Sequence, residues 1–337
     1  MPPHGKDDTV RLRPATLKPS PAPQAARSHG GARPLLLAGA LLLLGAIGAV
    51  LLLRSGPAPL VEAPPAPMVA MPAPPAPAPP PVAIALASEA EILANRAPEL
   101  VIRRLAPNPD VLVLDFPTLG EQARMLNRIA ALVEKAGLPR DRVLDDVALD
   151  AAVRAGGGTA ETFYYGHNYR AADLARFFAL AQRDGVRLTA EEERLRALLS
   201  DLGWLRMDAG GALVSVPQEG VEAWLDAGAR AAMLRHELSH GEFFTNPAYA
   251  AQVWRFWREM LTEEERQRFR AVLTNASYDP AQEEVMANEA HAFLFHTADE
   301  RFFSPAMAGL SPERAAALRD AFIAGLPPGW LRDAMAH

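Results

Sequence analysis

LRHELSH, residues 234–240, sets two histidines four positions apart with a glutamate directly after the first. On an α-helix, positions i and i+4 share one face a turn apart, so the imidazoles of His236 and His240 can converge on one ion. Glu237 then sits about 100° round the helix, placed to reach a water held by that ion rather than the ion itself. Zinc lowers the pKa of such a water towards 7, and a neighbouring carboxylate takes its proton as it attacks a carbonyl. His236 and His240 are therefore candidate ligands of one Zn²⁺, and Glu237 is the candidate general base. The flanks suit a buried helix: Ala231, Ala232, Met233 and Leu234 lead in, Leu238 lies between the histidines, and Gly241 follows. In such surroundings an unpaired imidazole or carboxylate is costly. The plainer alternative is two satisfied histidines on an ordinary helix.

His236, Glu237 and His240, with uncharged Leu238 and Ser239 between them, resemble the motif of the zincin metallopeptidases. Glu242 departs from it, standing where that family usually has an uncharged residue; it is either solvent-facing or part of the site. The resemblance implies three protein ligands and one open position. A metzincin would place its third histidine at position 246, which is Asn246, so a carboxylate is required instead. Glu259 has the spacing of the aminopeptidase branch, but it shares a helix face with Arg255 and Glu263, opposite Trp254, Trp257 and Leu261. Glu289 lies on an apolar stripe with Val285, Ala292, Phe293 and His296, where a carboxylate needs a strong partner. Asn288-Glu289 also resembles the pair that carries the third ligand in Glu-type zincins. Glu289 is thus the favoured third ligand and Glu259 the alternative. Asp279 reads as the N-cap of that helix, with Pro280 at its first position. His291 and His296 read as polar surface residues.

Two other segments offer groups for substrate or oxyanion binding. FYYGHNY, residues 163–169, contributes Tyr165 and His167, with aromatic packing before the next helix as the plainer reading. Tyr278 is a second such donor. The triplet Gly156-Gly157-Gly158 lacks a following Lys-Ser/Thr, so it reads as a turn rather than a phosphate loop.

Around these motifs the chain predicts an α+β, mainly helical, zincin-like domain over residues 88–337. Capping boxes start helices at Ser88/Glu91, Thr189/Glu192 and Thr262/Glu265, and Ser311-Pro312 starts another. Strands are expected only at VLVLDF (111–116) and ALVSVP (212–217), the latter after a hairpin-like Gly210-Gly211 turn. There is no cysteine among the 337 residues, which excludes disulfides and thiolate ligands. A net charge of −6 gives no reason to expect nucleic acid as a partner.

Upstream, the composition changes. Residues 1–34 read as a disordered tail bearing Lys6, Arg11, Arg13, Lys18, Arg27 and Arg33. Leu35–Leu53 is 19 uncharged residues, which as a helix spans ~28 Å, close to a bilayer's hydrocarbon thickness. Only Arg54 follows before Arg96, so the positive-inside bias places the amino terminus in the cytoplasm and the domain in the periplasm or exterior. Residues 54–87 form a Pro/Ala-rich spacer, with twelve of the 31 prolines between Pro57 and Pro81. The sequence therefore predicts a zinc metallohydrolase tethered to the cytoplasmic membrane through Leu35–Leu53, cleaving peptide or protein substrates. The second reading is a non-catalytic metal-binding or interaction module of the cell envelope, and the third a fortuitous motif. Oligomeric state stays open.

Overall fold

A computed structural model describes residues 83–336. The basic tail, the apolar stretch Leu35–Leu53 and the Pro/Ala spacer up to residue 82 lie outside the described residues. Among the described residues no helix is long and apolar enough to cross a membrane.

The fold is mixed α/β. In chain order it runs β1 (Leu86–Ala87), α1 (Glu89–Leu93), β2 (Val101–Leu105), β3 (Asn108–Phe116), α2 (Leu119–Val133) and α3 (Asp146–Ala155). Then follow β4 (His167–Arg170), α4 (Ala171–Arg183), α5 (Ala190–Asp201), β5 (Ala212–Pro217) and α6 (Ala227–Thr245). The carboxy-terminal part holds α7 (Pro247–Arg255), α8 (Glu263–Asn275), α9 (Glu283–His291), α10 (Pro312–Gly325) and α11 (Trp330–Ala336). Two of these helices widen at their ends into π-helical turns, α7 over Phe256–Met260 and α9 over Ala292–His296.

The strands form one sheet in the order β1-β2-β3-β5-β4. β3 pairs parallel with β5, while β2 and β4 run antiparallel to β3 and β5 respectively. VLVLDF is apolar but for Asp115 because both faces of the sheet are covered. Alternate residues divide between two cores, as the two-residue period of a strand requires. Leu112, Leu114 and Phe116 pack with α2 and α4, whereas Val111 and Val113 pack with Met233, Leu234 and Leu238 of α6. A third core, built on Phe256, Trp257, Phe269, Phe295 and Phe322, fills the carboxy-terminal helices. α6 contributes Phe243 to it and so joins sheet to helices.

The three capping boxes and the Ser311 cap are present. Four expectations need correction. The sheet begins at Leu86, two residues inside the stretch expected to be spacer. Gly210-Gly211 makes no hairpin, because the antiparallel partner of β5 is β4, on the far side of α4 and α5. Gly211 instead adopts φ +114° against Trp204, whose ring lies 2.3 Å from where a Cβ would stand. β2 (VIRRL) and β4 (HNYR) are strands despite weak alternation: β2 is half-exposed, and β4 buries His167, Asn168 and Tyr169 in succession. Finally, α9 starts at Glu283, not Pro280; Asp279 instead accepts the Ala281 N–H at 3.0 Å in the turn before it.

Candidate metal centre

α6 is capped by Asp226, whose carboxylate accepts the Ala229 N–H, and runs unbroken through LRHELSH. Its first turn is anchored by Arg230, which is buried against Asp115 of β3 at 2.7 Å. The same guanidinium donates to the carbonyls of Ile92, Leu93 and Pro217. Further along, Gly241 lies so near β3 that a Cβ would stand 2.8 Å from a Val111 methyl. These contacts fix how far α6 is rotated, and so where its histidines point.

His236 and His240 face each other with their Nε2 atoms 3.0 Å apart. Glu289, on α9, brings its carboxylate oxygens to 3.5 Å from each of those nitrogens. All three side chains are buried, and one ligand atom from each lies within 4.8 Å of the others. Bonds of about 2 Å from one ion reach nitrogens and oxygens at these separations.

The surroundings agree with that assignment. Thr297, at the end of the π-helical turn, donates its hydroxyl to the Ala292 carbonyl at 3.0 Å and accepts from His236 Nδ1 at 2.8 Å. His236 Nδ1 therefore carries the proton, and Nε2 presents its lone pair towards His240 and Glu289. Glu289 Oε2 is buried without a hydrogen-bond partner. Burial lowers the pKa of His236 to about 3 and of His240 to about 4, so both rings are neutral at pH 7 and available as ligands. Burial also raises Glu289, against the opposing pull of His240 and a hydrogen bond from Tyr278. A buried carboxylate between two neutral imidazoles lacks a balancing charge, and a divalent cation supplies one. This buried group can bind a metal ion.

Glu237 is held from the other side. The Asn168 side-chain amide, on β4, donates to Glu237 Oε2 at 3.1 Å. Gly166 lies against the same carboxylate: a Cβ there would stand 2.0 Å from Oε1. Gln122 fixes that segment by donating to the Tyr165 carbonyl at 2.7 Å. Burial, then the negative charge of Glu289, raises the Glu237 carboxyl well above its usual range, with Asn168 pulling the other way.

The other predicted residues fall differently. Glu259 is exposed on the π-helical end of α7 and pairs with Arg255 at 3.5 Å, so it is no ligand of this group. Tyr278 comes beside Glu289. Tyr165 is half-exposed and packs edge-on against Trp224, with ring centroids 4.8 Å apart. His167 is buried in β4, with Nδ1 2.7 Å from the Tyr169 hydroxyl. His291 and His296, expected at the surface, are both buried. His291 packs among the rings of Phe243, Tyr249 and Phe322, and His296 meets the Tyr249 hydroxyl at 2.8 Å. Glu242 is buried as well, accepting from Asn108, Asn246 and the Trp330 indole. Its role is to join three parts of the fold. Gly166, Asn168 and Thr297 are site residues that the sequence reading does not single out. The first two lie inside FYYGHNY, where the aromatic residues are the more conspicuous signal. Thr297 carries no sequence signal.

No protein-family model, curated protein or solved structure matches the chain.

Proposed function

We propose that the chain is a zinc-dependent amide hydrolase, a peptidase of the Glu-zincin type. The observation that carries this is the convergence of His236, His240 and Glu289 beside a carboxylate, Glu237, that is held separately by Asn168 and Gly166. A structural metal site has no use for that fourth group. Two imidazoles and a carboxylate, with no thiolate in the chain, form a donor set suited to zinc. When bound, zinc supplies Lewis acidity, which lowers the pKa of water and polarises a carbonyl.

Glu237 takes the proton of the attacking water and passes it to the leaving amine. A carboxyl whose affinity for protons is raised by burial suits both halves of that transfer. Asn168 binds one oxygen of Glu237, and the other lies against Gly166, so the carboxylate is held in one orientation. Tyr165, one residue before Gly166, is a phenol and so protonated at neutral pH, and it is the candidate donor to the oxyanion. The apolar stretch Leu35–Leu53, with basic residues before it, would anchor the domain outside the cytoplasm.

The test is zinc per chain and cleavage of a mixed peptide pool, followed by mass spectrometry, in wild-type protein, Glu237→Gln and Glu289→Gln. Glu237→Gln should keep one zinc and lose about 10²–10⁴-fold in rate. Glu289→Gln should lose the metal. Wild-type protein that carries no zinc when prepared without chelator sinks the proposal. A zinc-bearing wild type that cleaves nothing leaves a non-catalytic metal module.

A further inference from the structure

Between α3 and β4 the chain passes the site, and α2 grips that segment from behind. Of the buried residues of α2, only Gln122, Asn127 and Arg128 carry polar side chains. Arg128 pairs with Glu192 at 2.8 Å. The other two each spend a side-chain N–H on the passing segment: Asn127 donates to the Ala160 carbonyl at 2.8 Å and Gln122 to the Tyr165 carbonyl at 2.7 Å. Gln122 is wholly buried, where an amide is costly unless it is hydrogen-bonded.

That bond fixes a direction as well as a place. A trans peptide is planar, and its C=O and N–H point opposite ways. The Tyr165–Gly166 peptide is trans, so a carbonyl turned to Gln122 turns the Gly166 N–H away from α2. α2 and α6 pack on opposite faces of the sheet, so this N–H is aimed to the α6 side. Glu237 of α6 lies there, touching Gly166 so closely that a Cβ would overlap its Oε1. Among the described residues the Gly166 N–H makes no hydrogen bond. A fixed and free backbone donor beside a general base is placed to receive negative charge that develops on a reacting oxygen. Glycine leaves that donor unshielded, since no side chain stands beside it.

We infer that the Gly166 N–H donates to the carbonyl oxygen of the scissile amide, more strongly as that oxygen becomes an oxyanion, and that Gln122 is the positioning residue that aims it. The inference rests on the hydrolase reading and adds a backbone donor to the Tyr165 hydroxyl. A backbone donor of this kind recognises the amide itself and is indifferent to the side chains on either side of it.

Tyr-Gly occurs once in the chain, so carbonyl-¹³C tyrosine with ¹⁵N glycine marks this one amide in the NMR spectrum of the full zinc-loaded protein. The probes are N-phosphoryl-Leu-Ala, whose tetrahedral oxygens stand for the oxyanion, and a mercaptoacyl counterpart, which binds zinc through sulfur and offers no oxygen at that place. The Gly166 amide proton should move downfield with the phosphoryl probe alone. In Gln122→Leu the phosphoryl probe should bind about tenfold less tightly, with zinc content and the affinity of the thiol unchanged. Asn127→Leu, which loosens the same segment farther from Gly166, should leave the ratio of the two affinities as it is. A Gly166 amide that ignores the phosphoryl probe overturns the donor whether or not the variants fold. Equal losses for both probes in Gln122→Leu overturn the aiming role, because they mark a residue that only supports the fold. The downfield shift without any peptide cleavage defeats the hydrolase reading while the donor stands, and cleavage without the shift defeats the donor alone.

Discussion

Thr297 is a single hydroxyl, yet it determines which nitrogen of His236 faces Glu289. Because it already donates to the Ala292 carbonyl, it can only accept from His236 Nδ1. Thr297→Val keeps the shape and removes that acceptor. Zinc affinity should fall about 10–100-fold, the usual effect of losing such a partner, with the fold intact by circular dichroism. An unchanged zinc dissociation constant in a chelator competition would show that Thr297 does not orient the ring. The candidate ligands His236 and His240, with the proposed base Glu237, were legible in the sequence, because helical spacing alone sets them on neighbouring faces. Glu289 was legible as a carboxylate on an apolar stripe. Thr297, Asn168 and Gly166 were not, since each reaches the site from another segment, and one sequence carries no record of which segments meet.

At the level of elements, α6 works as the spine, and its fit to the sheet is as demanding as its chemistry. Glu242 sits one turn past Leu238 on that spine, at the end where β3, α7 and α11 meet. Its carboxylate accepts from Asn108 at 2.7 Å, from Asn246 at 2.7 Å and from the Trp330 indole at 3.1 Å. Glu242→Ala strands those donors in a buried place and should cost about 1–3 kcal/mol in urea unfolding, while zinc still binds. Loss of zinc at unchanged stability would instead make Glu242 part of the centre. Helix starts were readable at this scale because a capping box is a local pattern, closed within four residues. The start of α9 was not, since Asp279 serves an equally local turn that competes for the same residues. β4 was hidden for a different reason: His167, Asn168 and Tyr169 are buried in succession, so no alternation of buried and exposed residues marks the strand.

Across the whole molecule, buried ionisable groups pull stability in opposite directions with pH. His167 has its pKa lowered by burial to about 3, so between there and the ordinary value near 6.5 the unfolded chain holds more protons than the folded one. Its contribution is complete above 6.5 and is lost as the pH falls through that window. Glu134 and Glu237, raised by burial, act with the opposite sign, and their contribution is lost as the pH rises through their folded values. His167→Phe should therefore flatten the dependence of unfolding free energy on pH between about 4 and 6, by up to ~1.4 kcal/mol per pH unit relative to wild type. Parallel curves for the two proteins would mean that His167 does not titrate in this way.

The centre draws its parts from distant stretches: β4 steadies Glu237, α6 gives two of the candidate ligands, and α9 with Thr297 gives the third and its support. That division has a consequence in time. During synthesis His236 and His240 are added to the chain well before Glu289 and Thr297. At roughly 5–20 residues per second, several seconds separate the two events. The nascent chain thus carries the proposed base and an incomplete ligand set, and on the hydrolase reading it becomes able to cut only once α9 and Thr297 have been made.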